Sequence, residues 1–338
     1  MGFITRFLSG YSDSFLMALA LWPAASLMLT LPILAWLYHR DGRVRLLSAA
    51  GAYLSVLYLL GLACFTLYPL PEGNSGPGIT YGLAPILNPL HFIDDIRADG
   101  LAPVAQLAAN VALFVPLGFI AGRGLGLKLR WAVLTGFGCS LLIECAQLTG
   151  LFGLYPYAYR TFETTDLATN TAGALLGWQL ARLSLRLLPP APDAEPAVTR
   201  EPGFVRRFVA FCIDLALAGA LSLVTTSLAS VPLFLLAAPS GAFTALHLPE
   251  LIAAASLAVV EVAIPWKREG RTPGGSFVRM TCEGKTRTGA RRVLFYAARF
   301  FVLLCATGLP ALEPRLGLVP LVCLAFFLFA RKMPYDLI

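Results

Sequence analysis

The chain has 338 residues, of which 57% are apolar and only 13% charged, and its net charge is +7. Soluble chains average about 25% charged residues, so a soluble globular domain, a disordered chain and a coiled coil are all excluded. The composition predicts an all-α, polytopic membrane helical bundle whose apolar surface is solvated by lipid.

A spanning helix needs about 20 mostly apolar residues. Nine stretches are read as spans, five and then four: 15–38, 46–70, 104–122, 131–152, 167–188, 208–237, 246–266, 293–309 and 316–330, the last two having the shortest cores. The intervening stretch carries Pro189, Pro190, Pro192, Pro196 and Pro202, and proline blocks helix continuation. The expected organisation is an N-terminal segment with the first span (1–44), a membrane domain (45–188), a Pro-rich linker (189–202) and a second membrane domain (203–338). Residues 2–13 read either as an interfacial amphipathic helix or as an unordered terminus. No cleavable signal peptide is expected, because the first apolar run is too long and little positive charge precedes it.

Segments 39–45, 123–130, 182–207, 267–292 and 331–338 hold 3, 3, 5, 8 and 2 of the 26 Lys plus Arg. The loops that alternate with them, 71–103, 150–166, 238–245 and 310–315, hold only Arg97, Arg160 and Arg315. The positive-inside rule then predicts an outer N-terminus and a cytoplasmic C-terminus in an inner (plasma) membrane. The net charge is accounted for without nucleic acid, and anionic lipids at the basic loops are the expected partners. A phosphate-ligand site at Arg271 and the Thr272–Gly275 turn is the alternative, without the support of a P-loop sequence.

Ionisable residues inside spans are costly and mark functional candidates. Ser140, Glu144 and Gln147 share one helical face, as do Asp166, Asn170, Gly173 and Gly177. With this topology Asn110, Glu144, Gln147, Arg160, Glu163, Asp166 and Asn170 come to one depth near the outer interface. The plainer reading makes the amides interhelical hydrogen-bond glue and pairs Arg160 with Glu163 or Asp166. Glu144 is the one catalytic candidate, as a general acid or base.

In the second half, Asp214, Glu261 and Arg299 each lie about 8–9 Å into a span from its cytoplasmic end. With Arg207 they form an inner cluster, one arginine between two carboxylates, read as a pathway element or as a lock on three helices. No cofactor is expected. His39, His91 and His247 are scattered, so no histidine metal site is expected; Glu163 and Asp166 are the only weak candidates for a divalent cation. His91–Asp95 reads as a solvated outer loop, and 118–126 as a packing face followed by a turn. The seven cysteines lack a CxxC pair and read as small apolar fillers.

Three ordered segments carry a resemblance. Asn110-Val-Ala-Leu-Phe114-Val-Pro116-Leu-Gly118-Phe119, Ser140-Leu-Leu-Ile143-Glu144-Cys-Ala-Gln147, and Arg160-Thr-Phe162-Glu163-Thr-Thr-Asp166 followed by Asn170 and Gly173 resemble the signatures of the VanZ-like family over about 45–187. Glu163 stands where that family has Asp, which keeps the charge on a longer arm. Arg207, Ala210 and Asp214, the Gly270–Gly274 loop and Met333–Asp336 resemble the RDD family over about 203–338, with Asp336 matching its second Asp. In that loop Gly275 stands where the family has Lys. The first resemblance implies a bacterial envelope membrane protein related to one associated with low-level teicoplanin resistance. The second implies a multi-span module, with transport suggested for some members. The expected function is therefore recognition of a glycopeptide, a lipid-linked precursor or a lipid headgroup by an accessory protein. The alternatives are ion or small-molecule transport, a lipid-modifying enzyme using Glu144, and a scaffold for partner enzymes.

Overall fold

The computed structural model describes residues 3–68, 70, 84–158, 160–189, 197–235, 247–307 and 314–338, with the side chains of 3–11, 232–235 and 314 left aside. The linker prolines Pro190, Pro192 and Pro196, the loop 238–245 and part of the loops 71–103 and 310–315 lie outside the described residues, as do the side chains up to residue 11 that carry most of the amphipathic pattern expected at 2–13, a stretch that is helical from Phe3.

Every regular element among the described residues is helical. In chain order these are α1 (Phe3–Asp41), α2 (Leu46–Leu67), α3 (Phe92–Asp99), α4 (Leu101–Phe119), α5 (Leu129–Leu148), α6 (Thr164–Leu187), α7 (Phe204–Leu235), α8 (Leu248–Ala258), α9 (Pro273–Phe277), α10 (Gly289–Thr307) and α11 (Leu318–Ala330). Helix α4 runs on into a π turn over Ile120–Gly124, and α8 into another over Val259–Ala263 that returns to α-helix at Ile264–Lys267. Residues 92–99, expected within a loop, form a short helix instead, with Asp94 and Asp95 in its first turn, where carboxylates favour the helix dipole.

Among the described residues, six helices are long and apolar enough to cross a membrane: Ser12–Asp41, Leu46–Leu67, Leu101–Gly124, Leu129–Leu148, Phe204–Val231 and Leu248–Lys267. The chain is a multi-pass membrane protein. Helix α6 is long, but its buried face is built from Thr165, Asn170, Gly173, Ala174, Gly177 and Ala181, which lowers its apolar content. Helix α10 carries basic residues at its start, and α11 has only 13 residues.

The chain divides into two compact units. One comprises Met1–Met28 with Ala50–Asp193, the other Leu29–Ala49 with Ala194–Ile338. In the first, Leu62, Phe114 and Leu117 form a core with Tyr58, Leu113, Cys139 and Ile143 packed on it. Helices α4 and α6 meet backbone to backbone. A Cβ on Gly118 would collide with the Ala174 carbonyl, and one on Gly173 or Gly177 with the carbonyls of Val111 and Val115. Small residues therefore set how closely these helices approach. After the π turn, Gly126 (φ +66°) makes the chain reversal.

The span expected over 131–152 stops at Leu148. Gly150, Leu151, Phe152 and Gly153 all have positive φ, between 55° and 90°, a left-handed turn. Such a backbone costs roughly 1–2 kcal/mol for each L side chain. The Thr149 hydroxyl oxygen accepts the Phe152 N–H at 3.0 Å, and a Cβ at Gly150 would strike the Tyr155 and Tyr157 carbonyls.

In the second unit, Ala35, Val209, Ala210, Val278 and Met280 form one core, with Leu34, Tyr38 and Ile213 against it. The end of α1 is tied in further: Arg279 Nε donates to the His39 carbonyl at 2.7 Å, and Arg206 donates to the Gly42 carbonyl. A second core joins Cys282, Phe295, Tyr296 and Tyr335, and a third Ala218, Leu257 and Val260.

Candidate functional site

In the first unit the polar residues gather around the segment entering α6. Ile86 and Glu163 form an isolated parallel bridge, in which the Ile86 N–H donates to the Phe162 carbonyl at 2.9 Å and the Thr164 N–H to the Ile86 carbonyl at 3.1 Å. From below, Glu144 holds the same segment, its Oε2 accepting the Glu163 N–H at 3.0 Å. Gln147 Nε2 and Arg160 Nη1 both donate to the Thr66 carbonyl, at 2.7 and 3.1 Å. Asn110 Nδ2 donates to Asp166 Oδ1 at 2.7 Å, joining α4 to α6, and Asn170 Nδ2 to the Ser140 hydroxyl at 3.0 Å, joining α6 to α5. Glu144, Gln147 and Asn170 are buried, Asn110, Glu163 and Asp166 half-buried, and Arg160 exposed.

Glu163 stands just outside α6. Burial pushes its carboxyl above the ordinary 4.5, as do the nearby charges of Asp166 and Asp95, with His91 acting weakly the other way. Among the described residues no group of three or more His, Cys, Asp and Glu side chains is arranged to hold a metal.

In the second unit the charged residues resolve into pairs. Arg299 donates through Nη1 to the Glu261 carbonyl at 2.8 Å and through Nη2 to its carboxylate. Glu261 is fully buried, and its other oxygen, Oε1, has no hydrogen-bond partner among the described residues. It sits on the π turn of α8, and π turns inside helices recur at functional sites. Asp214 lies within electrostatic reach of both Arg299 and Glu261, as expected, but takes its hydrogen bond from backbone: its Oδ1 accepts the Gly274 N–H at 2.6 Å. Gly274 can come this close because a Cβ there would meet the Ala210 carbonyl and Asp214 Cγ. Arg207 lies apart from Glu261 and Arg299 in its bonding, making a salt bridge with Asp336 at 2.8 Å. Asp336 Oδ2 also accepts the Met333 N–H at 3.0 Å, closing the final turn of the chain. Burial pushes the Cys282 thiol up, so it remains a protonated apolar filler.

The family model described as VanZ/LLP1 matches residues 55–185, and that of the RDD family matches 201–334. The chain is a tandem of a VanZ-like domain and an RDD domain. No curated protein and no solved structure matches it significantly.

The VanZ-like domain thus places its most polar side chains on and around the stretch 160–166, irregular up to Glu163 and then the first turn of α6. The exposed Arg160 guanidinium is a donor fork suited to anionic groups, and the half-buried Glu163 and Asp166 are acceptors beside it. In the RDD domain the inner residues form two bonded sets, Glu261 with Arg299 and Arg207 with Asp336, while Asp214 binds backbone. The sequence reading missed Thr66, whose carbonyl collects two donors. No side-chain pattern marks a backbone acceptor. It also missed the π turn under Glu261, which hydrophobic periodicity over five residues does not reveal.

Proposed function

We propose that the chain is an envelope-associated accessory protein whose VanZ-like domain recognises a polar headgroup at the outer face of the plasma membrane. A glycopeptide, a lipid-linked wall precursor and a phospholipid headgroup all present the anionic and hydroxyl groups such a site would bind. One observation carries this reading. Exposed Arg160 and half-buried Glu163 and Asp166 lie on one segment that Glu144 anchors from within the bundle, so donors and acceptors are held ready on an ordered frame. Arg160 would take the anionic group, while Glu163 and Asp166 accept from hydroxyl or amide donors. Nine crossings, with an outer N-terminus and a cytoplasmic C-terminus, fit the segregation of basic residues and put this segment outside.

The test is glycopeptide susceptibility, teicoplanin first, in cells carrying the wild type, Arg160→Ala or Glu144→Gln at equal membrane level, with a C-terminal reporter active only in the cytoplasm. Both variants are expected to lose protection and the reporter to be active. Unchanged susceptibility in well-expressed variants rejects headgroup recognition, and a silent reporter rejects the sidedness.

A further inference from the structure

We propose that the RDD domain carries a binding site for an anionic phospholipid, with the phosphate held by Arg200, Lys285 and Arg287 and the acyl chain laid along Phe204, Phe327 and Leu328. This goes beyond the outer headgroup reading and does not rest on it.

Two cavities in this domain, of about 590 and 710 Å³, share three lining residues, Arg200, Lys285 and Arg287. The first is polar. Two of its cations are neutralised in place, Arg271 by Glu269 at 3.4 Å and Arg292 by Glu283 at 2.9 Å. In the second, Arg207 is neutralised by Asp336. The three shared cations have no carboxylate within salt-bridge distance among the described residues, so positive charge is left over where the cavities adjoin.

Arg287 sharpens the point. It is only 8% exposed; its Nη2 donates to the Asp336 carbonyl at 3.0 Å and its Nη1 to the Lys285 carbonyl at 3.4 Å, while Nε is buried with no hydrogen-bond partner among the described residues. Its guanidinium stacks 4.2 Å from the Phe295 ring centre, which offsets part of its desolvation. A buried guanidinium without a counter-ion is otherwise costly, and a phosphodiester supplies one through its two non-bridging oxygens, which can bond a guanidinium fork bidentately.

The second cavity changes character away from these cations. Phe204 and Phe327, rings 5.7 Å apart, form an apolar wall with Val205 and the exposed Leu328. A cationic pocket opening onto an apolar groove matches a molecule with an anionic head and a hydrocarbon chain. Free phosphate would use only the polar cavity. Glu201 also lines the groove, but Arg331 and Lys332 line it too, so the excess stays positive.

The experiment uses the purified full chain in phosphatidylcholine nanodiscs. Dioctanoyl phosphatidylglycerol, dioctanoyl phosphatidylcholine and inorganic phosphate are each titrated, with binding read by thermal shift. Phosphatidylglycerol is expected to bind and phosphatidylcholine not. Arg200 and Lys285 are surface side chains, so the double variant Arg200→Gln, Lys285→Gln should fold normally and weaken phosphatidylglycerol about thirtyfold. Leu328→Gln should weaken it a fewfold and leave any phosphate response unchanged. Equal binding of the two lipids, or an unaffected double variant, overturns the proposal. So does inorganic phosphate binding as tightly as phosphatidylglycerol, which would make the ligand a free phosphate compound.

Discussion

In the VanZ-like domain, side chains mostly serve backbone. Glu144 takes the Glu163 amide, Gln147 and Arg160 take the Thr66 carbonyl, and the two closest helices touch through glycine and carbonyl groups. In the RDD domain, charge meets charge: Glu261 with Arg299, Asp336 with Arg207, Glu283 with Arg292. The first arrangement pins an irregular segment with several separate bonds, so each loss is local. The second stakes stability on complete pairs, because a lone charge left in a dry interior is far worse than no charge at all.

The largest expected effect breaks the most buried pair. Glu261→Gln or Arg299→Gln should each destabilise the RDD domain by about 3–5 kcal/mol, since each strands or unbalances a buried partner. Replacing both with Met should recover most of that. Denaturant unfolding in detergent, arranged as a double-mutant cycle, measures it. Additive losses in the double variant would show that the two residues are not a unit.

A middle-sized effect belongs to the VanZ-like domain. Gly177→Ala places a methyl group against the Val115 carbonyl and should cost about 1–3 kcal/mol by forcing α6 off α4. Gly138→Ala on α5, with nothing within 4 Å of the added carbon, should be neutral or stabilising by up to about 1 kcal/mol. Equal effects of the two substitutions, read by the same unfolding assay, would mean that backbone contact does not hold these helices.

These contrasts also show what was legible beforehand. Long apolar runs marked the helices, because lipid demands about 20 such residues. Gly173 and Gly177 were placed on a packing face by their spacing alone, and they do face carbonyls. The scarcity of charge made Glu144, Asp214, Glu261 and Arg299 conspicuous. The partners were less accessible. Asp214, near Arg299 as expected, takes its hydrogen bond from the Gly274 amide, and Glu144 takes one from the amide of Glu163. Backbone groups exist at every position, so composition cannot select one. The left-handed turn at Gly150–Gly153 was hidden because Leu151 and Phe152 look like continuing helix. The basic segments read as topology signals, and only the folded arrangement separates their paired cations from Arg200, Lys285 and Arg287.

The smallest effect has opposite signs in the two domains. Glu163 has its carboxyl raised above the ordinary 4.5, first by burial and then by Asp166 and Asp95. The folded state therefore prefers its neutral form. Whatever stability that form provides is present below the ordinary value and is lost as pH rises through the raised one. Glu163→Gln holds the side chain neutral and leaves the backbone amide on Glu144. The variant should thus melt higher than wild type at pH 7 and alike at pH 4. In the RDD domain, Glu283→Gln keeps an oxygen that can accept from Arg292 Nε but removes its countercharge, and should melt lower at pH 7. A Glu163→Gln variant that melts lower at pH 7 would mean that this carboxylate is held by partners, as the RDD charges are. If it melts higher while headgroup recognition falls, the carboxylate is being kept ionised at a cost in stability, which is what a binding residue does and a packing residue does not.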